Sequence, residues 1–349
     1  MRRGALIHSL VPLLSSLLAI FGAFLVGGVF LTIMGKDAKA AYMLLATRAL
    51  GSSFGITETV IKMAPLLLVS AGLLIALRAS VWNIGIDGQF LIGAGAVGVV
   101  APRLAGVMPL FPMLIICGLT AFVFGALWGV IPAILRVRYG LNEIITTIMM
   151  NFVAIYVTSW LVKGLFRDTS VVAPQMPSIP KDWRLPHIPL TRIHVGVVVG
   201  IVIVLFLHFM FRRGTFGFSL NVMGLSRKAA VHAGISVDRL AILALLLSAG
   251  MAGLAGANDV LGVKGLFQGE WNPAYGFTGF ALVFLARLNG LAIIPFAYFF
   301  AFLLFGGEMM ARTAGIPVFF VEMLEGLMLV FFAVSVYFER AVLRKVVQE

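Results

Sequence analysis

A run of polar side chains opens an apolar stretch near the middle of the chain, at residues 142–151. Glu143, Thr147 and Asn151 are spaced i, i+4 and i+8, so a helix would carry them on one face. Asn142 is suited to cap such a helix and Glu143 to its positive N-terminal end, so capping and a functional role both stay open for these two. Thr147 and Asn151 lie deeper, where they either bond a neighbouring helix or line a path for a solute.

A second polar cluster, 82–89 (WNIGIDGQ), opens another apolar stretch. Asn83, Asp87 and Gln89 are interspersed with two glycines, which indicates an interrupted or re-entrant helix. Irregular backbone inside an apolar bundle is tolerated only where protein buries it or where it lines a cavity. The alternative is a simple turn after Arg78. We favour a structured, partly buried turn, because an ionisable group in that setting is functional by default.

The longest basic segment is 212–239 (RRGTFGFSLNVMGLSRKAAVHAGISVDR), which separates two apolar stretches. It predicts a short helix with Ser226 as its N-cap, 227–233 as its body and Gly234 at the left-handed position that ends it. One interpretation is an ordinary basic loop between spans; the other is a rigid cationic surface on which a partner docks.

Two further polar groups have both structural and functional interpretations. Glu308, Arg312, Glu322 and Glu325 gather near the ends of the last two apolar stretches, where an ion pair with Arg312 is favoured over a polar mouth for solute. The aromatic side chains of 270–277 (EWNPAYGF) could stack on a planar or sugar-like solute, although Trp and Tyr are also routine anchors at a membrane interface.

Composition places these clusters in a membrane protein. The chain has 349 residues, of which 61% are hydrophobic and 11% charged, with a mean hydropathy of +1.07. Its apolar runs of about twenty residues match the length of a transmembrane helix. The fold class is therefore all-α: a polytopic transmembrane helical bundle that forms one domain over 1–349. The net charge of +12 sits at span ends, where it orients the chain in lipid, and does not indicate nucleic acid.

The chain also lacks the signatures of an enzyme. Cys117 is the single cysteine, which excludes an intramolecular disulfide and a cysteine-rich metal cluster. No phosphate-binding G-x-x-x-x-G-K-[ST] loop, H-E-x-x-H helix or nucleophile elbow occurs, so we expect no ATPase site, no catalytic residues and no bound cofactor or metal.

About ten spans are predicted, and their even number places both termini on one side. Basic residues cluster at the span ends on that side, so we assign both termini and 212–239 to the cytoplasm. Two segments, 35–60 and the proline-rich 163–194, are then extracytoplasmic loops. The predicted spans are 10–34, 61–77, 82–100, 110–135, 142–162, 195–211, 240–257, 273–286, 291–310 and 318–338.

Taken together and in order, these motifs resemble the permease subunits of bacterial ATP-binding-cassette (ABC) importers, in the ribose, galactose and nucleoside branch and most like its nucleoside members. The similarity extends from about residue 61 to 336. It rests on 82–89, 140–147 (GLNEIITT) with 150–151, 224–230 (GLSRKAA) with 233–235, 248–256 (SAGMAGLAG), 273–277 (PAYGF) and 306–308 (GGE).

The resemblance implies a multi-pass protein of the cytoplasmic membrane whose 226–233 helix couples it to an ATPase. The implied partners are two ATPase subunits that use the ATP, a second permease subunit, an extracytoplasmic solute-binding protein and the lipid membrane. The residues implied to contact the ATPase are Ser226, Arg227, Lys228, Ala229, Ala230, His232 and Gly234.

The resemblance also places the polar clusters on the translocation path, through Asn83, Asp87, Gln89, Asn142, Glu143, Thr147 and Asn151. Similar proteins tend to carry an acidic residue where this chain has Thr278, which leaves the role of a carboxylate there open. Ribose-like sugars are the alternative cargo to nucleosides. A secondary transporter is the more distant alternative, for which Asp87 would be the candidate ion-coupling carboxylate.

Overall fold

The chain forms a helical bundle in a computed structural model that describes residues 2–348, with side chains described from 14 to 339. Within these limits the secondary structure is helical apart from two isolated β-bridges. The basic chain ends that entered the prediction of orientation, Arg2, Arg3, Arg340, Arg344 and Lys345, lie outside the described side chains. The helices are α1 (Arg2–Ile33), α2 (Ala38–Leu50), α3 (Ser53–Arg78), α4 (Ile86–Leu104), α5 (Leu110–Tyr139), α6 (Glu143–Lys163), α7 (Gly196–Arg213), α8 (Thr215–Leu225), α9 (Arg227–His232), α10 (Val237–Asp259), α11 (Tyr275–Leu285), α12 (Gly290–Ala314) and α13 (Phe319–Gln348).

Eight helices in the described part of the chain are long and apolar enough to cross a bilayer. They correspond to eight of the ten predicted spans. The third and eighth predicted spans correspond to α4 and α11, which are not among them. α4 begins at Ile86, four residues later than predicted, and α11 has only 11 residues. α4 starts late because residues 82–85 are not helical, and α11 is slightly shorter at both ends than the predicted 273–286.

The centre of the bundle is α3, which is apolar around its whole circumference and buried from Met63 to Leu77. A helix without a polar face belongs in a protein core or in a bilayer, and α3 is in the first setting because other helices cover it. α3 packs against α10, α12, α7 and α11. Ser52 caps its start by accepting a hydrogen bond from the Gly55 amide at 3.0 Å.

Small residues let α10 approach its neighbours closely. A methyl group added at Gly253 would lie 2.2 Å from the carbonyl oxygen of Ala121 and 3.1 Å from the Cα of Gly125, both on α5. Gly93 of α4 meets the same residue, since its added methyl would lie 2.4 Å from the Cα of Gly253. Helix association in lipid depends on such close backbone contact, because there is no water to drive it.

The predicted loop 35–60 is largely helical, which corrects the sequence-based assignment. It contains α2 and the first turns of α3. Asp37 caps α2 by accepting hydrogen bonds from the Lys39 and Ala40 amides. The i, i+4, i+8 spacing of Ala41, Leu45 and Ala49 buries one face, and α2 packs on α12.

The segment 163–194 has little regular structure, as its prolines predict, but it is fixed to the bundle. The amides of Met176 and Ile179 donate hydrogen bonds to the carbonyls of Phe267 and Gly265, at 2.9 and 2.8 Å. The side chains of Met176 and Ile179 are fully buried. The segment is therefore a cover over 260–270 and not a free connector.

We expect Gly253→Ala to destabilise the bundle by about 1–3 kcal/mol, the usual cost of overpacking, because backbone leaves no room for its methyl group. Gly118→Ala in α5 is the matched control, since its methyl would meet only the Leu254 side chain at an ordinary 3.5 Å. The measurement is the apparent melting temperature of each purified variant in detergent. Equal melting temperatures for the two variants would contradict this packing.

Candidate functional site

Between α3 and α4, residues 79–85 have no helical structure, and they are here called the 79–85 segment. Val81 and Asn83 are fully buried, whereas Trp82 is 39% exposed. The Trp82 ring stacks on Phe280 of α11 at a centroid distance of 6.3 Å, and the Phe284 ring lies 5.8 Å away. The segment thus runs alongside a helix of about 16 Å, roughly half the thickness of a bilayer core.

Two amide side chains pair across this segment. Asn83 Nδ2 donates to Gln89 Oε1 at 2.8 Å, and Gln89 Nε2 donates back to Asn83 Oδ1 at 2.9 Å. Asn83 Nδ2 also lies 2.9 Å from the Ser248 hydroxyl of α10. Both amides are almost fully buried, so the reciprocal pair satisfies groups that would otherwise be costly in an apolar interior.

Side chains of α6 satisfy the backbone of the same region. Asn151 Oδ1 accepts a hydrogen bond from the Gly88 amide at 2.7 Å, and Asn151 Nδ2 donates to the Ile84 carbonyl at 2.8 Å. The Ile84 amide donates to the Thr147 hydroxyl at 3.2 Å. Thr147 and Asn151 therefore do bond a neighbouring element, one of the two roles left open for them.

Asp87 joins the 79–85 region to the start of α11. Its Oδ1 accepts a hydrogen bond from the Gly276 amide at 2.7 Å, at the N-terminal end of a helix whose first amides have no intrahelical partner. The carboxylate also compensates the positive end of the helix dipole. A methyl group at Gly276 would lie 2.8 Å from Asp87 Oδ2, so a larger residue here would displace the Asp87 carboxylate.

The remaining two predicted path residues have local partners at the start of α6. Asn142 caps the helix, with Oδ1 accepting from the Ile144 amide at 2.8 Å. Glu143 forms an ion pair with Arg136 at 3.4 Å. All seven predicted path residues thus bond to protein groups. Five of them converge around the 79–85 segment, while Asn142 and Glu143 lie apart from it. Their lining of a path stays a prediction.

The carboxylates near the end of the bundle have partners that the sequence did not indicate. Glu308 pairs with Lys62 at 2.7 Å, so the predicted ion pair with Arg312 is wrong for this residue. Glu325 of α13 is buried and accepts a hydrogen bond from the Thr278 hydroxyl at 2.7 Å. Where similar proteins tend to carry an acidic residue, this chain therefore has a carboxyl group within hydrogen-bonding distance, contributed by another helix.

Two aromatic residues of 270–277, Trp271 and Tyr275, pack against protein rings, whereas Phe277 is 47% exposed. The Trp271 ring meets Phe90 and Phe267 edge-on at 5.7 and 5.8 Å, and the Lys264 ammonium lies 5.3 Å from its centroid. Exposed Glu270 accepts a hydrogen bond from Lys163 at 2.5 Å, which lowers the pKa of that carboxyl group. These contacts fix the chain ahead of α11 and leave the Trp271 ring only partly accessible.

Helices α8 and α9, residues 215–232, form an arm at the end of the bundle where α3 terminates. The Ser226 hydroxyl accepts a hydrogen bond from the Ala229 amide at 3.2 Å, and Gly234 has a φ of +75°. The predicted capped helix is confirmed, whereas α8 was not foreseen. Leu225 of α8 is 89% exposed and Val231 of α9 is 60% exposed, so apolar side chains lie beside the cationic ones of α9.

The residues predicted to contact an ATPase differ in accessibility. Ala230 lies on the inner face of α9 and is fully buried, so its side chain packs against the bundle. Arg227 pairs with Asp238 at 2.7 Å. The exposed members are Ser226, Arg227, Lys228, Ala229, His232 and Gly234.

The arm is attached to the start of the 79–85 segment. Arg78 Nη1 donates to Asn221 Oδ1 of α8 at 3.0 Å, and the Ser80 hydroxyl donates to the Gly224 carbonyl at 2.9 Å. Arg78 Nε also donates to the Leu288 carbonyl, beyond the far end of α11, at 3.1 Å. Residues 78–88 therefore contact the arm, α6, α10 and both ends of α11.

Comparison with known proteins agrees with this architecture. Residues 55–333 match the family described as "Branched-chain amino acid transport system / permease component", and the chain belongs to that family of membrane permeases. It is 31% identical to the glucose ABC transporter permease protein TsgB13 of Haloferax volcanii, over 93% of this chain and 87% of the relative.

Two further relatives carry nucleoside names. The guanosine ABC transporter permease protein NupP of Bacillus subtilis is 29% identical over 94% of both chains. The nucleoside ABC transporter permease protein NupB of Lactococcus lactis subsp. cremoris is 29% identical over 95% of this chain and 92% of the relative. The chain is thus a transport component of the permease class, as its motifs predicted.

We expect Asn151→Leu to destabilise the protein by about 1–3 kcal/mol, because it leaves the Ile84 carbonyl and the Gly88 amide buried without partners. Thr146→Val on the same helix is the control, since the Thr146 hydroxyl bonds only to carbonyls of its own helix turn. Melting temperatures in detergent should fall by several degrees for the first variant alone. A loss of the same size in both would contradict a clamping role for Asn151.

Two variants, Asp87→Asn and Asp87→Ala, distinguish the need for a hydrogen-bond acceptor at the start of α11 from the need for the negative charge of Asp87. The asparagine keeps an oxygen that can accept from the Gly276 amide, whereas the alanine removes it, so we expect near-normal folding and uptake for Asn and a loss of both for Ala. Melting temperature and solute uptake should be measured in parallel. A well-folded Asp87→Asn protein without uptake would show that the charge itself is required.

Proposed function

We propose that this chain is the permease subunit of an ABC importer that carries nucleosides across the cytoplasmic membrane, using ATP hydrolysed by separate subunits. Membership in a permease family supports the transport role. Nucleosides are supported by two relatives named for guanosine and nucleoside transport, each aligned over more than nine-tenths of both chains. A simple sugar is the second candidate cargo, because the relative at 31% identity is named for glucose.

The observation that carries the proposal is the exposed arm. A six-residue helix is too short to be stable alone, so α9 depends on its caps and on the adjoining α8, which Arg78 and Ser80 hold in place. Its outer surface combines cations with the apolar side chains of Leu225 and Val231. Exposed apolar groups on such a rigid element are typical of a docking site for another protein. The partner proposed here is an ABC ATPase subunit.

The contacts also suggest how the arm communicates with the membrane interior. Movement of α8 would act directly on Arg78 and Ser80, and through the 79–85 segment on Asp87 and the start of α11. ATP-driven closure of two ATPases, one on each permease of a dimer, would shift the population towards an inward-open path. In this arrangement both termini and the arm are cytoplasmic, and 163–194 faces an extracytoplasmic solute-binding protein.

Uptake measurements test the function directly. Vesicles containing this chain with its co-encoded ATPase and binding protein should accumulate labelled guanosine, adenosine or uridine, and accumulation should stop when the phosphate-binding lysine of the ATPase is replaced. Glucose, ribose and leucine serve as competing cargoes. Uptake of a sugar alone would correct the cargo, and nucleoside uptake without a working ATPase would overturn the importer assignment.

Val231→Glu tests the docking surface. It places a charge in the centre of the apolar part of the arm, so we expect at least a tenfold loss of ATPase subunit recovered with the tagged permease, and a similar loss of uptake. Val172→Glu is the matched control, because Val172 is 94% exposed in the 163–194 segment. Normal recovery of the ATPase with Val231→Glu would contradict the assigned interface.

A further inference from the structure

A cavity of about 480 Å³ lies beside the root of the arm, where α3 and α7 end and α12 begins. Three guanidinium groups line it, those of Arg78, Arg212 and Arg287, together with His208 and the first residue of α12. No acidic side chain is among its lining residues in the described part of the chain. The site therefore concentrates positive charge at the end of several membrane-spanning helices.

The three arginines differ in how their charge is compensated. Arg287 forms an ion pair with Glu339, with Arg287 Nη2 at 2.5 Å from Glu339 Oε2. Arg78 is held by neutral oxygens, the Leu288 carbonyl and the Asn221 side chain. Arg212 has no ion-pair partner among the described side chains. Three cations thus face one carboxylate, which leaves two positive charges near the membrane boundary, where the lowered dielectric makes an anion a favourable counter-charge.

The start of α12 strengthens this positive potential. α12 has 25 residues, and its N-terminal end, with Gly290, borders the cavity. Asn289 satisfies the Leu291 amide at 3.0 Å, while the helix dipole still contributes partial positive charge towards the site. A helix start alone does not define a binding site, but here it adds to three guanidinium groups around one cavity.

The position of the cavity selects the kind of anion. Its arginines come at the ends of apolar spans, where the headgroups of a bilayer lie. The helices that border it also carry exposed apolar side chains, namely Phe206 and Phe209 of α7 and Leu291 of α12. A soluble anion would use only the charge, whereas a phospholipid would also cover this apolar surface with its acyl chains.

We propose that this cavity binds the phosphate of an anionic phospholipid, with Arg212 as the guanidinium that is free to contact it. Because Arg78 also holds α8 through Asn221, a bound headgroup would brace the root of the arm. Anionic lipid would then stabilise the permease in the conformation that presents α9. The site goes beyond the proposed transport function and stands or falls independently of the cargo.

Thermal unfolding of the full-length chain in detergent tests the proposal. Titration with phosphatidylglycerol should raise the melting temperature by several degrees and saturate, whereas phosphatidylcholine should not. A parallel titration with inorganic phosphate at millimolar concentration distinguishes binding of a soluble anion from binding of a lipid. Equal stabilisation by the two lipids would overturn the proposal, and saturable stabilisation by phosphate to the same extent would reassign the site to a free anion.

The neighbouring arginine gives a matched control. Arg212→Gln removes a charge from the cavity, and Arg213→Gln removes the same charge one residue away, outside the lining. We expect the phosphatidylglycerol concentration for half-maximal stabilisation to rise about fivefold for Arg212→Gln, the effect of one basic residue at an anionic surface, and to stay unchanged for Arg213→Gln. Equal effects of the two variants would show general surface attraction and contradict a defined site.

Discussion

Every peptide group that leaves helical structure inside an apolar bundle needs a hydrogen-bonding partner from protein, because lipid supplies none. The 79–85 segment is where this chain meets that constraint. The Ile84 and Gly88 amides and the Ile84 carbonyl bond to side chains of α6, and the buried amides of Asn83 and Gln89 bond to each other. Thr147, Asn151 and Asp87 are therefore explained first by the backbone groups that they satisfy.

The same constraint shapes the elements around the segment. Because α11 begins inside the bundle, its first amides need an acceptor, and Asp87 provides one for Gly276. The far end of α11 leads to Leu288, whose carbonyl binds Arg78, and Arg78 in turn binds α8. A shift of the arm would displace Arg78 and, through its hydrogen bonds and the 79–85 segment, both ends of α11. This connection gives the proposed coupling a physical route, and the arginine-lined cavity lies at the same junction.

The sequence predicted those features that depend on neighbours along the chain. Ser226 and Gly234 bracket α9 because a cap and a left-handed stop act within one helical turn. The i, i+4, i+8 spacing placed Thr147 and Asn151 on one face, and the glycines of 82–89 indicated broken helix. Local patterns of this kind do not require knowledge of the fold.

What could not be predicted depends on residues that are distant in sequence. Lys62 and Glu308 are 246 positions apart, so no spacing rule could prefer that pair to one with Arg312. Glu325 meets Thr278 only because α13 packs on α11. The buried face of α2 consists mainly of alanine, so it has little contrast in hydropathy by which the sequence could distinguish it from a loop. The partners of Asn151 could not be predicted for the same reason, because Gly88 and Ile84 lie 63 and 67 positions earlier in the chain.

Amide hydrogen exchange across residues 79–89 tests the central claim most directly. If side chains hold this segment, its amides should exchange as slowly as those in the middle of α3, although the segment is not helical. Replacing both Thr147 and Asn151 by apolar residues should then accelerate exchange at 82–89 while leaving 66–76 unchanged. Fast exchange at Ile84 and Gly88 in the unmodified protein, or no acceleration in the double variant, would contradict the account.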